Sequence, residues 1–136
     1  MAVGVDVDID GSRVRKVEPP WKWVGGKRQL LGEILPRVPK SFGRYWEPFV
    51  GGGAVFFALG LGGVKECFLS DANGELVNCY KVVRDDVGGL VKALKGGLFI
   101  YDQEVYYKIR AWETQACSDV MRAARFVYLN KTGFNG

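Results

Sequence analysis

One feature constrains this chain more than any other: an apolar strand candidate breaks at three consecutive glycines and resumes as a helix candidate, Glu47-Pro48-Phe49-Val50-Gly51-Gly52-Gly53-Ala54-Val55-Phe56-Phe57. Three glycines remove every Cβ from the bend, and the helix that follows offers free amide donors at its start. A second apolar run, Cys67-Phe68-Leu69, leads into Ser70-Asp71, eighteen residues after Gly53. Strand, glycine turn, helix and strand in that order predict a parallel α/β unit. A carboxylate about 20 residues beyond such a turn is placed to accept hydrogen bonds from ribose hydroxyls, so the pattern predicts a cradle for an adenosine-bearing ligand. The plainer reading is a tight turn with no ligand, Asp71 merely capping the helix that begins near Asn73.

The 136 residues allow one domain with one core. A net charge of +4 favours an anionic partner without approaching a dedicated polycation. The chain has no histidine, which excludes Ser-His and Cys-His catalytic pairs and every zinc site that needs an imidazole. Cys67, Cys79 and Cys117 form no C-x-x-C pair, so no disulfide framework or metal site is expected and all three read as small core hydrophobes. The apolar runs fall short of a membrane span, and Asp6, Asp8 and Asp10 stand where a signal peptide would be cationic and then apolar. A cytoplasmic protein with no membrane partner is the expectation.

Residues 1–18 alternate Val and Asp and then turn basic, which reads as a flexible arm, with a half-buried edge strand as the other reading. Leu30, Leu31, Ile34 and Leu35 mark one stripe of a helix from Lys27 to Leu35 that Pro36 ends. A strand from Tyr45 to Val50, a helix from Ala54 to Leu59 stopped by Gly60, Gly62 and Gly63, and a buried strand at Cys67-Phe68-Leu69 follow. The next helix carries its apolar stripe on Leu76, Val77, Tyr80 and Val83. Further helices are predicted over Val87–Lys95, Glu104–Glu113 and Asp119–Asn130, the last with Ser118 as N-cap, and Gly96-Gly97 marks a loop.

Three other stretches carry chemistry. In Pro20-Trp21-Lys22-Trp23-Val24-Gly25-Gly26-Lys27-Arg28, tryptophans interleave with lysines beside a glycine turn, suited to stacking on a ring and neutralising an acid group. A phosphate loop is excluded there, because it needs four residues between glycines and a hydroxyl after the lysine, where Arg28 stands. Amphipathic packing of the tryptophans under the helix start is the alternative. From Lys22 to Arg44, six basic residues (Lys22, Lys27, Arg28, Arg37, Lys40, Arg44) face one acid, Glu33, which makes either a solvated face or a phosphate-facing one. Arg122 and Arg125, three apart on their helix, pose the same choice. Finally, Tyr128-Leu129-Asn130-Lys131-Thr132-Gly133-Phe134-Asn135-Gly136 suits either a grip on a nucleic-acid backbone or an ordinary helix end.

Taken in order, Lys22-Trp23-Val24-Gly25-Gly26-Lys27, Glu47 to Gly53, Ser70-Asp71-Ala72-Asn73 and Tyr128 to Gly136 resemble the Dam-like (class alpha) adenine-N6-specific DNA methyltransferases over about residues 19–136. The resemblance implies an α/β fold of the Rossmann-like S-adenosylmethionine-dependent methyltransferase type, with a methyl group passing from that cofactor to the N6 amine of adenine in double-stranded DNA. It implies that Trp23 and Lys27 lie along the cofactor, that Phe49 and Gly51, Gly52 and Gly53 admit it, that Glu47 supports its methionine end and that Asp71 holds its ribose. Residues 19–101 would then form the cofactor-binding part and 102–136 the start of a helical target recognition region, with Arg122, Asn130, Lys131, Thr132 and Asn135 toward DNA. The family's Asp-Pro-Pro-Tyr catalytic motif is absent, so no catalytic residue is assigned. The resemblance implies an incomplete fold that is inactive alone, completed by more chain or by a complementing carboxy-terminal chain. Two other readings use the same residues: a non-catalytic basic DNA-binding module, and a dinucleotide-dependent oxidoreductase.

Overall fold

The computed structural model describes residues 18–60 and 66–133 together with the backbone of Val5–Val7 and Arg13–Arg15. Two compact units divide between Ser70 and Asp71, whereas the functional division expected from the sequence falls after residue 101. Both are small, so secondary structure alone supplies the layers.

In the first unit, β1 (Val5–Val7) pairs antiparallel with β2 (Arg13–Arg15), Val5 opposite Arg15 and Val7 opposite Arg13, inside the stretch read as an arm. The predicted Lys27–Leu35 helix is broken into a 3-10 turn over Lys27–Leu30, a single α turn, α1 (Leu31–Ile34), and a second 3-10 turn over Leu35–Arg37. Gly26 offers no side-chain cap to its start, and Pro36, lacking an N–H, is tolerated only in the first turn of a new helical segment. None of the four residues of its apolar stripe is buried.

β3 (Arg44–Glu47) pairs in parallel with β4 (Glu66–Leu69), in the register Arg44–Glu66, Tyr45–Cys67, Trp46–Phe68 and Glu47–Leu69. Hydrogen bonds from Ser70 N to Glu47 O and from Val50 N to Ser70 O, both 3.0 Å, carry the pairing past the strand ends. Between the strands runs α2 (Ala54–Leu59), with the boundaries the sequence predicts; Gly53 at its start and Gly60 at its end both adopt left-handed backbone. Gly62 and Gly63 lie outside the described residues. Phe56 of this helix and Phe42 flank Tyr45 on one face of β3. The buried centre of this unit is Trp21, Val50, Ala54 and Val55.

Strand β4 departs from the expected buried run: Cys67 and Phe68 are exposed. A parallel strand is apolar on both faces where helices cover both; Cys67 lies on the Tyr45 face and Phe68 on the Trp46 face, so among the described residues β4 is open on each side. Cys67 is therefore not a core hydrophobe, while Cys79 is fully buried and Cys117 half-buried.

The second unit is helical: α3 (Gly74–Asp85), α4 (Val87–Lys95), α5 (Gln103–Arg110), a 3-10 turn over Thr114–Ala116 and α6 (Asp119–Thr132). Every α helix here starts on a side-chain cap: Asn73 accepts from Glu75 N and Leu76 N, Asp86 from Gly89 N, Asp102 from Val105 N and Ser118 from Met121 N. Each such cap stabilises its helix by about 1 kcal/mol.

α6 packs across α3, α4 and α5, with Ala123 and Ala124 buried at the contact, where small side chains let the helices approach. The buried face of α3 is Leu76, Asn78, Cys79 and Val82 rather than Leu76, Val77, Tyr80 and Val83; Val77 and Tyr80 are half-buried and Val83 is exposed. The rotation has a polar cause: Asn78 Nδ2 donates to Asp119 O at 2.9 Å and Arg122 binds Glu75 Oε1 at 2.6 Å, which turns α3 toward α6. α5 ends at Arg110, not Glu113, where Arg125 reaches in to bond Ile109 O and Arg110 O.

Candidate cofactor site

Residues from three segments meet inside the first unit. Alternation along β3 puts Tyr45 and Glu47 on the same face, and Tyr45 Oη donates to Glu47 Oε2 at 2.8 Å. Burial, together with the carboxylate beside it, pushes the Tyr45 phenol above its ordinary range. Lys27, on the 3-10 turn, reaches Glu47 from the other side, its Nζ 2.9 Å from Oε1. The same ammonium donates to Phe49 O.

That second bond matters for the carboxylate. Oε1 is close enough to Lys27 for charge attraction but receives no aligned hydrogen bond, although it is buried. The ammonium offsets the charge of this oxygen, which keeps lone-pair capacity for a further donor. Tyr45 is a member of this group that the sequence reading missed; its position two residues before Glu47 on one strand is the signal that could have found it.

The glycine turn lies against Trp23. Gly51 has φ +51°, and a Cβ there would fall 2.7 Å from Trp23 Cδ1; a Cβ on Gly52 would come within 3.3 Å of Trp23 Cβ and 3.1 Å of Trp21 O. The bare backbone is thus filled by an indole edge, and Trp23, Lys27, Glu47 and Gly51 to Gly53 form one cluster. Phe49, at the rim, is 77% exposed and contributes its carbonyl rather than its ring.

Asp71 opens the second unit directly after Ser70, and its Oδ1 accepts from Asn73 N at 2.9 Å. The helix cap is Asn73, so Asp71 shapes the turn before the helix and leaves the capping to its neighbour.

The residues expected to face DNA fare differently from one another. Arg122 is engaged by Glu75 and Asp119 and its ordinary basicity is raised, chiefly by the hydrogen bond to Glu75. Asn130 is buried, and Thr132 Oγ1 donates back to Tyr128 O at 2.7 Å. Lys131 is exposed in the last turn of α6, and Asn135 lies outside the described residues. The basic stretch from Lys22 to Arg44 is largely neutralised: Lys27, Arg28, Arg37 and Arg44 pair with Glu47, Glu18, Glu33 and Glu66.

Residues 23–136 match the family model of the D12 class N6 adenine-specific DNA methyltransferases. The chain belongs to this family. Among D12-class and related proteins, it is 40% identical to the type II methyltransferase M.MjaIII of Methanocaldococcus jannaschii, over 89% of this chain and 47% of that protein. It is 36% identical to the DNA adenine methylase of Escherichia coli K12, over 85% of this chain and 41% of the relative. Against the DNA N-6-adenine-methyltransferase of Escherichia phage P1 the identity is 37%, over 92% of this chain and 17% of that protein. The chain therefore spans less than half the length of these relatives. Each of the four sequence pieces on which the resemblance rests falls wholly or mostly inside the matched D12 region.

Proposed function

We propose that this chain is the cofactor-binding portion of a site-specific adenine DNA methyltransferase with a Rossmann-like sheet, and that its ligand is S-adenosylmethionine. The family match carries the reaction class, and the Lys27–Glu47 pair carries the site. A zwitterionic amino-acid end suits two opposite charges 2.9 Å apart: Lys27 meets the carboxylate, and the buried Glu47 Oε1 takes the N–H it lacks. Trp23, held edge-on to Gly51, supplies the flat apolar wall. Asp71 is assigned the ribose hydroxyls because it follows the carboxyl end of a parallel strand, where ligands of open α/β sheets bind.

When bound, S-adenosylmethionine supplies an electrophilic methyl on a sulfonium leaving group, so little acid-base work falls to the protein and the absence of histidine is no obstacle. What the chain's own residues do is fix the two charges of the cofactor's amino-acid end and one sugar edge, positioning that turns an encounter into an ordered reaction. The adenine must leave the duplex to be reached; Lys131 is the described candidate for a phosphate contact, with Asn130, Thr132 and Asn135 assigned to the same region, while Arg122, expected from the sequence to face DNA, is instead assigned to bracing α6 through Glu75 and Asp119. The catalytic motif is supplied by the rest of the enzyme, in a longer chain or a complementing one. None of the described helices is long and apolar enough to cross a membrane, and a cytoplasmic setting fits an enzyme of DNA.

Calorimetric titration with S-adenosylmethionine tests the site. Lys27→Ala, Glu47→Gln and Asp71→Ala should each weaken binding tenfold or more, about 1.4 kcal/mol. Equal affinity in all three variants and the parent chain overturns the assignment. Methyl transfer to DNA by the purified 136-residue chain would separately overturn its incompleteness.

A further inference from the structure

The neighbours of Glu47 treat its two carboxylate oxygens differently. Oε2 accepts the Tyr45 Oη–H at 2.8 Å. Oε1 lies 2.9 Å from Lys27 Nζ, while the aligned hydrogen bond of that ammonium goes to Phe49 O. The terminal torsion of a glutamate is broad and roughly two-fold, so something must decide which oxygen faces Lys27. Lysine is a poor choice for that task, because it is a point charge on a flexible four-carbon stem and attracts either oxygen equally. The phenol is directional and short-armed. Its ring is held between Phe42 and Phe56, with centroids 6.4 and 6.2 Å away. At 6% exposure of Glu47, solvent has little access to take the place of the hydroxyl.

We propose that Tyr45 is a positioning residue: its hydroxyl fixes the plane of the Glu47 carboxylate so that Oε1 is presented to the ammonium of the ligand's amino-acid end. The site thereby prefers S-adenosyl compounds that carry an α-amino group over those that lack one. This rests on the reading of Glu47 as the acceptor for that group, and it gives a task to a side chain for which the sequence predicted none. Tyr45 itself touches no ligand; it acts through Glu47, two residues along the same strand face. Oε2 is occupied by the phenol, so the lone-pair capacity left on Oε1 is the part of the carboxylate that a bound ammonium can use.

The test titrates the 136-residue chain by calorimetry with S-adenosylmethionine and with its deamino analogue, in which hydrogen replaces the α-amino group. Parent, Tyr45→Phe, Glu47→Gln and the double variant are compared. Tyr45→Phe keeps the ring between Phe42 and Phe56, so its circular dichroism should stay that of the parent. It should weaken S-adenosylmethionine binding about five- to tenfold, the worth of one hydrogen bond, and change binding of the deamino analogue by less than about twofold. On the Glu47→Gln background it should add nothing. Equal losses for the two ligands make Tyr45 a packing residue and overturn the proposal, as do unchanged affinity for S-adenosylmethionine and losses that add in the double variant. A crystal structure of ligand-free Tyr45→Phe supplies the cofactor-independent arm: a turned Glu47 carboxylate supports the orienting role, and an unturned one overturns it whether or not any ligand binds. Failure of the parent to bind either ligand removes the cofactor reading and the amino preference with it, while the carboxylate orientation in Tyr45→Phe still decides what the phenol does.

Discussion

Replacing Gly51 by alanine tests the packing of the glycine turn. The change imposes two costs that the structure separates. A left-handed backbone at φ +51° costs an alanine about 1–2 kcal/mol, partly offset by the roughly 0.4–1 kcal/mol that alanine gains by stiffening the unfolded chain. The new Cβ also meets Trp23 Cδ1 at 2.7 Å and Nε1 at 2.9 Å, and forcing a rigid ring aside costs about 1–3 kcal/mol. The sum is about 2–4 kcal/mol. Gly60→Ala is the control, because Gly60 has nearly the same φ, +53°, with nothing within 4 Å of its Cβ; it should cost about 1 kcal/mol. Urea unfolding followed by far-UV circular dichroism reads the difference as a midpoint shift of roughly 1 M, given about 2 kcal/mol per M for a small protein. On a Trp23→Leu background the extra cost should vanish, a coupling of about 1–3 kcal/mol. If Gly51→Ala and Gly60→Ala are equally destabilising, or the coupling is under about 0.5 kcal/mol, Trp23 does not fill that space and the proposed wall of the cofactor site is misplaced.

The cysteines should react in order of exposure with a disulfide reagent at pH 8: Cys67 at once, Cys117 more slowly and Cys79 only on unfolding; prompt reaction at Cys79 would contradict the α3–α6 core. Burial pushes the Cys79 thiol up to about 12, and Tyr45 shifts upward as well; both favour the protonated folded state, so stability is whole below the ordinary thiol range and falls as pH rises from about 9 toward 12, which denaturation at pH 8 and pH 11 compares. Asn73→Ala should lose about 1–2 kcal/mol by removing a cap that serves two amides, a loss that thermal unfolding detects. Arg122→Ala should lower stability while leaving the salt slope of DNA binding unchanged in any DNA-binding preparation, because Glu75 and Asp119 already hold the guanidinium; a slope reduced by about 1 would instead make it a phosphate contact.

What the sequence revealed depended on how local the cause was. The ends of α2 were legible because glycines stand at both, and the start of α6 because Ser118 is a hydroxyl placed before an apolar run. The parallel pairing of β3 and β4 was legible in the strand–helix–strand order. The buried face of α3 was not legible, since Asn78 is turned inward by a backbone carbonyl 41 residues away. Nor was the fracture of the Lys27–Leu35 helix into 3-10 and α turns, which depends on an uncapped start and a proline acting together. At the site, Lys27, Glu47 and the glycines were picked out by residue type. Their grouping, with Tyr45 holding one carboxylate oxygen and Trp23 filling the space above Gly51, is a property of folding that spacing alone does not encode.

The clasp between α3 and α6 has a consequence for biosynthesis. Arg122 lies 47 residues beyond Glu75, and Ala123 lies 44 beyond Cys79. At about 5–20 residues per second of translation, the greasy side of α3 waits roughly 2–9 s after it is made before its partner helix has been polymerised. During that interval Leu76, Cys79 and Val82 are open to any passing apolar surface, so a nascent chain stalled before Ser118 is the form of this protein that most needs a chaperone.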